Sequence, residues 1–225
     1  MKKLLWKIPL CFFAITIGWV IILRFVPIYI TPVMIVHSIQ AIGDDKREVW
    51  FDKTWIPIEK ISPNVVRAII ASEDDTFLTH HGFAIEHIRK AYFANKKGKK
   101  IRGASTISQQ TAKNVFTSGY RTWVRKGFET YFTVLIECIW GKKRIAEVYL
   151  NVAEMGNGIY GVEAASRNYF NKSAKKINTS EAALLAACLP NPRRYSVKHP
   201  GPYMLRRQAL IKRRMNNVPQ IDFTK

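Results

Sequence analysis

The sequence contains little cysteine, and this scarcity excludes one class of protein. Three cysteines in 225 residues are too few and too scattered for a disulfide framework, so a small disulfide-stapled secreted fold is excluded. Cys11 lies in an apolar run, and Cys138 and Cys188 lie in apolar helical runs, so we expect buried packing residues. A disulfide between Cys138 and Cys188 is the alternative in an oxidising compartment.

Acidic residues are also scarce compared with basic ones. The chain has 36 Lys and Arg against 16 Asp and Glu, which gives a formal net charge of +20. This excess indicates a negatively charged partner: nucleic acid, an anionic membrane surface or a phosphorylated substrate. Charge alone does not choose among the three. Hydrophobic residues make up 48% of the chain, which is enough to build a buried core.

The amino-terminal segment contains a long uncharged run, Ile8 to Leu23, which is preceded by Lys2, Lys3 and Lys7. The apolar segment from Leu4 to Ile30 is long enough to span a bilayer about 30 Å thick. A cleaved signal peptide is the competing interpretation, but no small-x-small cleavage site follows the run. We therefore expect an uncleaved single-pass anchor.

The anchor suggests a division of the chain into three parts. Residues 1–36 form a cytoplasmic tip and the anchor, residues 37–60 a juxtamembrane connector, and residues 61–225 the main domain. The amino-terminal lysines keep that end cytoplasmic under the positive-inside rule, so the main domain lies on the outer face. Its basic character is no objection, because long domains translocate largely regardless of charge.

The main domain begins with a helix that ends in acids. From Ser62 onward the apolar residues follow a helical spacing without strand-like alternation, which predicts an all-α domain. Ser62 and Pro63 form a helix start, and the apolar helix ends at Glu73, Asp74 and Asp75. A carboxylate at this end of a helix, held against an apolar wall, is a candidate general base. Solvated charges at a helix end are the alternative.

A second polar helix follows a basic, glycine-containing loop at residues 95–104. Thr106 and Gln109 have capping-box spacing, so this helix begins at Ser105 or Thr106 with free N–H groups that can attract phosphate. Lys113 lies one turn after Gln109, on the same face. The loop is either a solvated turn or a mobile flap near a polyanionic substrate.

A third helix carries a charged stripe. Arg125 and Lys126 lie four and three residues before Glu129, so the three side chains share one face, opposite Phe128 and Phe132. The alternatives are an ion-pair ladder on the surface and a cationic site that Glu129 orients.

These segments resemble the motifs of the peptidoglycan glycosyltransferases. That family includes the polymerising module of class A penicillin-binding proteins and the stand-alone monofunctional transglycosylases. The second motif is the most specific, because Gly103 to Asn114 matches Gly-x-Ser-Thr-Ile-x-Gln-Gln-x-x-Lys-Asn at every fixed position. The other segments that carry the resemblance are Glu73-Asp74 with Phe77, His80, Gly82 and Phe83; Arg-Lys-x-x-Glu at 125–129; Tyr149 to Phe170; and Ser180 to Pro190.

The resemblance implies a lysozyme-like, all-α fold with a membrane-proximal jaw and no second catalytic domain. It implies an enzyme of the bacterial inner membrane that joins lipid II units into glycan strands with inversion. Its expected partners are lipid II, the growing strand, the bilayer and other cell-wall synthesis or division proteins, not nucleic acid. No cofactor is required, and a divalent ion (Mg or Mn) assisting the pyrophosphate is the alternative. The implied site consists of Glu73 and Glu129 as catalytic carboxylates and, for the pyrophosphate, Lys113, Arg121, Arg125, Lys126, Ser105, Gln109 and Gln110.

Two rival interpretations predict different behaviour. A lysozyme-like hydrolase or lytic transglycosylase also uses an essential Glu, but it cleaves a sugar–sugar bond and has no use for a cationic stripe. A membrane-tethered basic protein that binds nucleic acid or anionic lipid through charge would not depend on Glu73.

Overall fold

The computed structural model describes residues 7–44, 47–86, 89, 93, 105–118, 122–219 and 223, and these are mostly helical, as predicted. The predicted basic loop at 95–104 and Arg121 lie outside the described residues. The helices are α1 (Lys7–Phe25), α2 (Pro32–Ala41), α3 (Pro63–Glu73), α4 (Ile107–Phe116), α5 (Trp123–Ile139), α6 (Gly141–Val152), α7 (Val162–Phe170), α8 (Thr179–Cys188) and α9 (Pro202–Met215). Short 3-10 turns cover Ile58–Lys60 and Ala174–Lys176, and the strands are β1 (Asp52–Lys53), β2 (Glu154–Gly156) and β3 (Ile159–Tyr160).

Helix α1 is the one described helix that is long and apolar enough to cross a membrane. It ends at Phe25, before the apolar segment ends at Ile30, because Pro27 follows and proline disfavours helical conformation at the residue before it. Its second half is fastened to the domain, since the indole N–H of Trp140 donates to the Val20 carbonyl at 2.7 Å. The apolar helix therefore fits a single-pass anchor that packs along α5.

Helix α2 crosses the boundary that we placed after residue 36. Thr31 caps this helix by accepting a hydrogen bond from the Met34 N–H at 3.4 Å, and Pro32 fills its first turn. Met34 is fully buried, and the helix packs against α4. Residues 37–41 of the predicted connector are therefore part of a helix that packs against the main domain.

The core joins two groups of helices. Helices α3, α8 and α9 pack against one another, and α4 packs against α5 and α6, with one continuous cluster of buried residues between them. Helix α3 forms as predicted, with Ser62 as its cap and Glu73 as its last residue. Because its apolar face is buried, the position of Glu73 is fixed against the core.

A small sheet of three short strands forms, and two of the strands lie after Ser62, where we predicted helices without strands. Its strand order is β1-β3-β2, with β1 parallel and β2 antiparallel to β3. Helix α6 ends at Val152, and Glu154 begins β2. Strands of two or three residues are too short to show an alternating pattern. Gly161 lies directly after β3 at φ +82, and a Cβ there would lie 2.7 Å from the Asn151 carbonyl oxygen.

The packing prediction for the cysteines is correct for Cys188 and wrong for the other two. Cys188 is buried in α8, whereas Cys11 and Cys138 are exposed, and all three are free thiols. The alternative disulfide is therefore not present. Cys138 lies one turn after Val134, which is also exposed, because the apolar run of α5 extends around to an outer face.

Candidate active site

Glu73 ends α3 with its carboxylate held by three neighbours. Ser72 Oγ donates to Oε1 at 3.1 Å, Gln110 Nε2 donates to Oε2 at 3.1 Å, and Arg207 Nη2 lies 3.5 Å from Oε1. The side chain keeps 14% of its accessible surface. Glu73 is thus neither buried out of reach nor directed into bulk water, and it faces a side chain of α4.

Asp74, the neighbouring acid, has a structural task that the sequence analysis missed. It is buried, and its Oδ2 accepts from the Ile107 N–H at the start of α4 at 2.9 Å and contacts His80 Nε2 at 2.8 Å. Negative charge is favourable at a helix amino terminus. The hydroxyl of Thr106, the residue that caps α4, donates to the Gly82 carbonyl at 2.7 Å. Asp74 therefore fixes the start of α4 directly beside Glu73.

The two glutamines of α4 have different positions. Gln109 is buried and its Oε1 accepts from the Thr106 N–H at 3.1 Å, so it closes the predicted capping box and does not line the cavity described below. Gln110 points to the site, where it donates to Glu73 and accepts from the hydroxyl of Tyr149 at 3.1 Å. Burial raises the pKa of Tyr149 well above its usual value, so this hydroxyl stays a donor.

Glu129 lies in a different environment from Glu73. Only 3% of the residue is exposed, and its two oxygens accept from Arg125 Nη1 at 2.9 Å and Lys126 Nζ at 2.8 Å. The predicted stripe therefore exists, but its carboxylate points inward and the solvated ladder is wrong. The predicted opposite face is divided, because Phe132 is buried while Phe128 is exposed and lies beside Phe12 of α1, with ring centroids 6.1 Å apart.

A cavity of about 450 Å³ lies beside these groups and is lined by Gln110 and Glu129 but not by Glu73. Its cationic end contains Lys113, and burial lowers the pKa of this lysine, with Arg125 and Lys126 adding to the shift and Glu129 opposing it. Gln110 lines the same cavity and so brings Glu73 to its edge. The side chains at the cationic end and the middle are Ser105, Gln110, Lys113, Asn114, Arg125, Lys126, Glu129 and Tyr149.

Another part of the cavity lining contains residues that the sequence analysis did not select. They are His37 from α2, Glu154 from β2 and Tyr160 from β3. Each element looked like a connector or a helix end in the sequence. A polar residue inside an apolar stretch, such as Glu154 between Val152-Ala153 and Met155, was the available signal.

The residues around Glu129 do not fit a divalent ion. Both carboxylate oxygens are already engaged by Arg125 and Lys126, and a cationic surrounding disfavours a metal. No group of three or more His, Cys, Asp or Glu side chains that could hold a metal occurs in the part of the chain that the structure describes. The arrangement favours orientation of the two cations by Glu129 over metal binding.

The structure has a helical domain attached to an apolar helix, with a carboxylate beside a cation-lined cavity. The motifs led us to expect this arrangement of a peptidoglycan glycosyltransferase. Residues 39–216 match the family model described as Transglycosylase. The chain belongs to this family, and its domain is lysozyme-like.

Three relatives show how closely the chain follows that family. It is 52% identical over 209 residues to the biosynthetic peptidoglycan transglycosylase of Bacteroides thetaiotaomicron, covering 93% of this chain and 84% of the relative. The protein of the same name from Bdellovibrio bacteriovorus is 48% identical over 215 residues, covering 96% and 86%. That from Haemophilus influenzae is 49% identical over 220 residues, covering 96% and 89%.

Proposed function

We propose that this protein polymerises lipid II into the glycan strands of peptidoglycan for cell-wall synthesis. The observation that carries the proposal is the contact between Glu73 and Gln110, which puts a carboxylate at the edge of a cavity lined by Lys113, Arg125 and Lys126. Such a site offers a base on one side and a binding place for a lipid diphosphate on the other.

In this reaction Glu73 acts as the general base. It takes the proton from the 4-hydroxyl of the acceptor's N-acetylglucosamine as that oxygen attacks the anomeric carbon of the donor's N-acetylmuramic acid. The new bond joins oxygen to the anomeric carbon, and the bond from that carbon to the pyrophosphate breaks. Attack opposite an α-linked pyrophosphate gives a β-linkage, so the configuration inverts.

The leaving group explains why cations surround the cavity. A pyrophosphate is a stable anion that needs no strong acid, but its growing charge must be met by fixed positive groups and donors. Lys113, Arg125 and Lys126 supply that charge in this proposal, and Glu129 orients the last two through its hydrogen bonds. The motif alone assigns Arg121 to pyrophosphate binding, and it alone assigns Ser105 and Gln110 as hydrogen-bonding partners of the pyrophosphate. Gln109 stabilises the start of α4.

The membrane arrangement follows from the anchor. Helix α1 crosses the bacterial inner membrane once, with the lysine-rich amino terminus in the cytoplasm and the catalytic domain on the outer face. The lipid tails of donor and acceptor stay in the bilayer, while the cavity next to α2 receives the head groups. The proposed division is anchor at 1–36, connector at 37–60 and catalytic domain at 61–225, although α2 joins the first two.

The rival hydrolase would need an acid to protonate a sugar alkoxide. Such an enzyme gains nothing from the desolvated Lys113 or from the paired cations at Glu129. The charge-only binding protein gains nothing from the contacts that hold Glu73. Both rivals therefore leave part of the site without a use.

The test uses the purified full-length protein in detergent with labelled lipid II. We expect glycan polymer and released undecaprenyl pyrophosphate from the wild type, and neither from Glu73→Gln. Release of reducing sugar from purified peptidoglycan without lipid II consumption would instead establish the hydrolase. Binding of nucleic acid or anionic lipid that is equal in the wild type and Glu73→Gln and is lost in high salt, with polymer from neither, would establish the charge-only protein.

Metal dependence has its own control. Because the oxygens of Glu129 are occupied by cations, we expect polymerisation to continue in EDTA. Loss of activity in EDTA that Mg²⁺ or Mn²⁺ restores would contradict this part of the proposal. Assembly with other cell-wall synthesis or division proteins is an expectation from the family resemblance and is not needed for this assay.

A further inference from the structure

Glu154 is a cavity-wall carboxylate that the proposed reaction does not use. Its side chain is only 14% exposed, and burial raises its pKa while Arg193 and Lys113 oppose the shift. Keeping a charged group in such a place costs free energy. A carboxylate at this position therefore needs a stabilising contact.

The carboxylate is fixed by one hydrogen-bonded cation and lies near a histidine of α2. Arg193, from the segment after α8, donates from Nε to Oε1 at 2.8 Å. His37 Nδ1 of α2 lies 3.6 Å from Oε2, beyond hydrogen-bond range, and is bonded to the Tyr160 hydroxyl at 2.7 Å. A carboxylate whose orientation is fixed by such a bond is preorganised for a ligand.

His37 does not neutralise Glu154. Burial lowers the pKa of His37 to about 4, with Arg193, Lys113 and Arg47 adding to the shift, so the imidazole is uncharged near neutral pH. The pKa of Tyr160 is raised by burial, so its hydroxyl is also neutral. Arg193 is the cation that is hydrogen-bonded to Glu154, and Glu154 lines the cavity together with His37.

The charges that line the cavity determine which part of a ligand Glu154 can bind. Lys113, Arg125 and Lys126 form the end suited to a diphosphate, and a carboxylate close to that dianion would repel it. Glu154 therefore suits a neutral group that donates hydrogen bonds. The sugar attached to the diphosphate carries such groups, because it has a free hydroxyl and an acetamido N–H.

We propose that Glu154, positioned by Arg193, is a saccharide-binding residue that accepts a hydrogen bond from the donor sugar next to the pyrophosphate. This inference rests on the proposed function, since it names the part of the lipid-linked donor that Glu154 recognises. It assigns the cationic end of the cavity to the pyrophosphate and the Glu154 wall to the sugar.

The test compares a sugar-bearing and a sugar-free ligand at one site. In a Glu73→Gln background, which stops turnover, lipid II and undecaprenyl pyrophosphate each compete with a fluorescent polyprenyl pyrophosphate. Glu154→Gln keeps an acceptor for Arg193 but turns its amide N–H₂ toward the cavity. We expect lipid II to compete about tenfold more weakly, as for the loss of one hydrogen bond to a charged group, with no loss for undecaprenyl pyrophosphate.

The matched control is Glu59→Gln, which neutralises a surface carboxylate paired with Lys143 at 2.9 Å and should change neither affinity. An unchanged ratio of the two affinities in Glu154→Gln would overturn the inference, whether both affinities fall together or both stay. Thermal melting checks folding, and Glu154→Asp, which withdraws the carboxylate, must lower the same ratio. If the wild type polymerises lipid II and the ratio is constant, only this inference fails; if it neither binds nor polymerises lipid II, the proposed function fails.

Discussion

Glu73 and Glu129 are both glutamates beside one cavity, yet their surroundings are opposite. Glu129 is buried with a cation on each oxygen, at 2.9 and 2.8 Å. Glu73 has a hydroxyl, an amide and one more distant arginine at 3.5 Å. A carboxylate whose two oxygens are both bonded to cations has no oxygen free to meet an incoming hydroxyl.

The contrast separates a reacting group from a positioning group. Glu73 keeps partial exposure and weakly held oxygens, which suits a base that must meet an incoming hydroxyl. Glu129 holds Arg125 and Lys126 in fixed orientations, which suits electrostatic stabilisation of a leaving group. The two neutral isosteres, Glu73→Gln and Glu129→Gln, should therefore fail in different ways.

The largest effect is expected for Glu73→Gln. Removing a general base should lower kcat about a hundred- to ten-thousand-fold. Binding of polyprenyl pyrophosphate should not change, because Glu73 does not line the cationic end of the cavity. Lipid II polymerisation and a competition assay measure the two quantities. A variant with normal kcat and weakened diphosphate binding would reverse the roles of the two glutamates.

A smaller effect is expected for Glu129→Gln. Arg125 and Lys126 lose the charge that orients them, so kcat should fall about ten- to a hundredfold through misplacement of the donor. Affinity for free pyrophosphate should not fall, because the cavity becomes more positive. The melting temperature should drop, since one partner of a buried ion pair has been removed. A kcat loss as large as that of Glu73→Gln would break the distinction.

The pH dependence of donor binding sharpens the comparison further. The pKa of Lys113 lies below its usual value, so the ammonium loses its proton at a lower pH than an ordinary lysine, and KM should begin to rise correspondingly early as pH increases. Glu129 raises this pKa, so in Glu129→Gln the rise in KM should move to still lower pH. Lys113→Arg should abolish the alkaline rise, because guanidinium stays charged.

Profiles of KM across the neutral-to-alkaline range check this prediction. Lys212→Arg, an exposed change on α9, is the control and should leave the profile unchanged. An identical alkaline rise in Lys113→Arg would mean that another group governs it.

The parts of the fold that come from local pattern could be predicted from the sequence. Ser62 and Pro63 start α3, Thr106 and Gln109 close a capping box, and each lies where the spacing placed it. The charged stripe of α5 was also visible, because neighbours at three and four residues share a helical face. Such signals need only one element, so the sequence contains all of the information.

The parts that depend on contacts between elements could not be predicted. Whether the Glu129 stripe faces solvent or the interior is decided by where α5 packs, and the sequence allowed both. His37 and Glu154 are far apart in the sequence but line the same cavity, because α2 and the sheet meet there. No local spacing in the sequence shows this contact. Asp74 likewise gained its role only when α4 began beside it.

The smallest effect is expected for Tyr149→Phe, which tests how Glu73 is oriented without touching either glutamate. The Tyr149 hydroxyl donates to Gln110, and Gln110 donates to Glu73, so this hydroxyl fixes which way the amide faces. Its loss should reduce kcat about two- to tenfold and stability by about 1 kcal/mol. Tyr203→Phe, an exposed change on α9, is the control for both.

The outcome for Tyr149→Phe bears on the comparison through Gln110. A reoriented amide would present its oxygen to Glu73, so the variant should share the kcat defect of Glu73→Gln in milder form and keep normal binding of polyprenyl pyrophosphate. A defect in that binding instead would mean that Gln110 serves the cationic end of the cavity with Glu129. Ser72 and Arg207 would then be the groups that orient Glu73. The roles of the two glutamates would be less distinct than their contacts indicate.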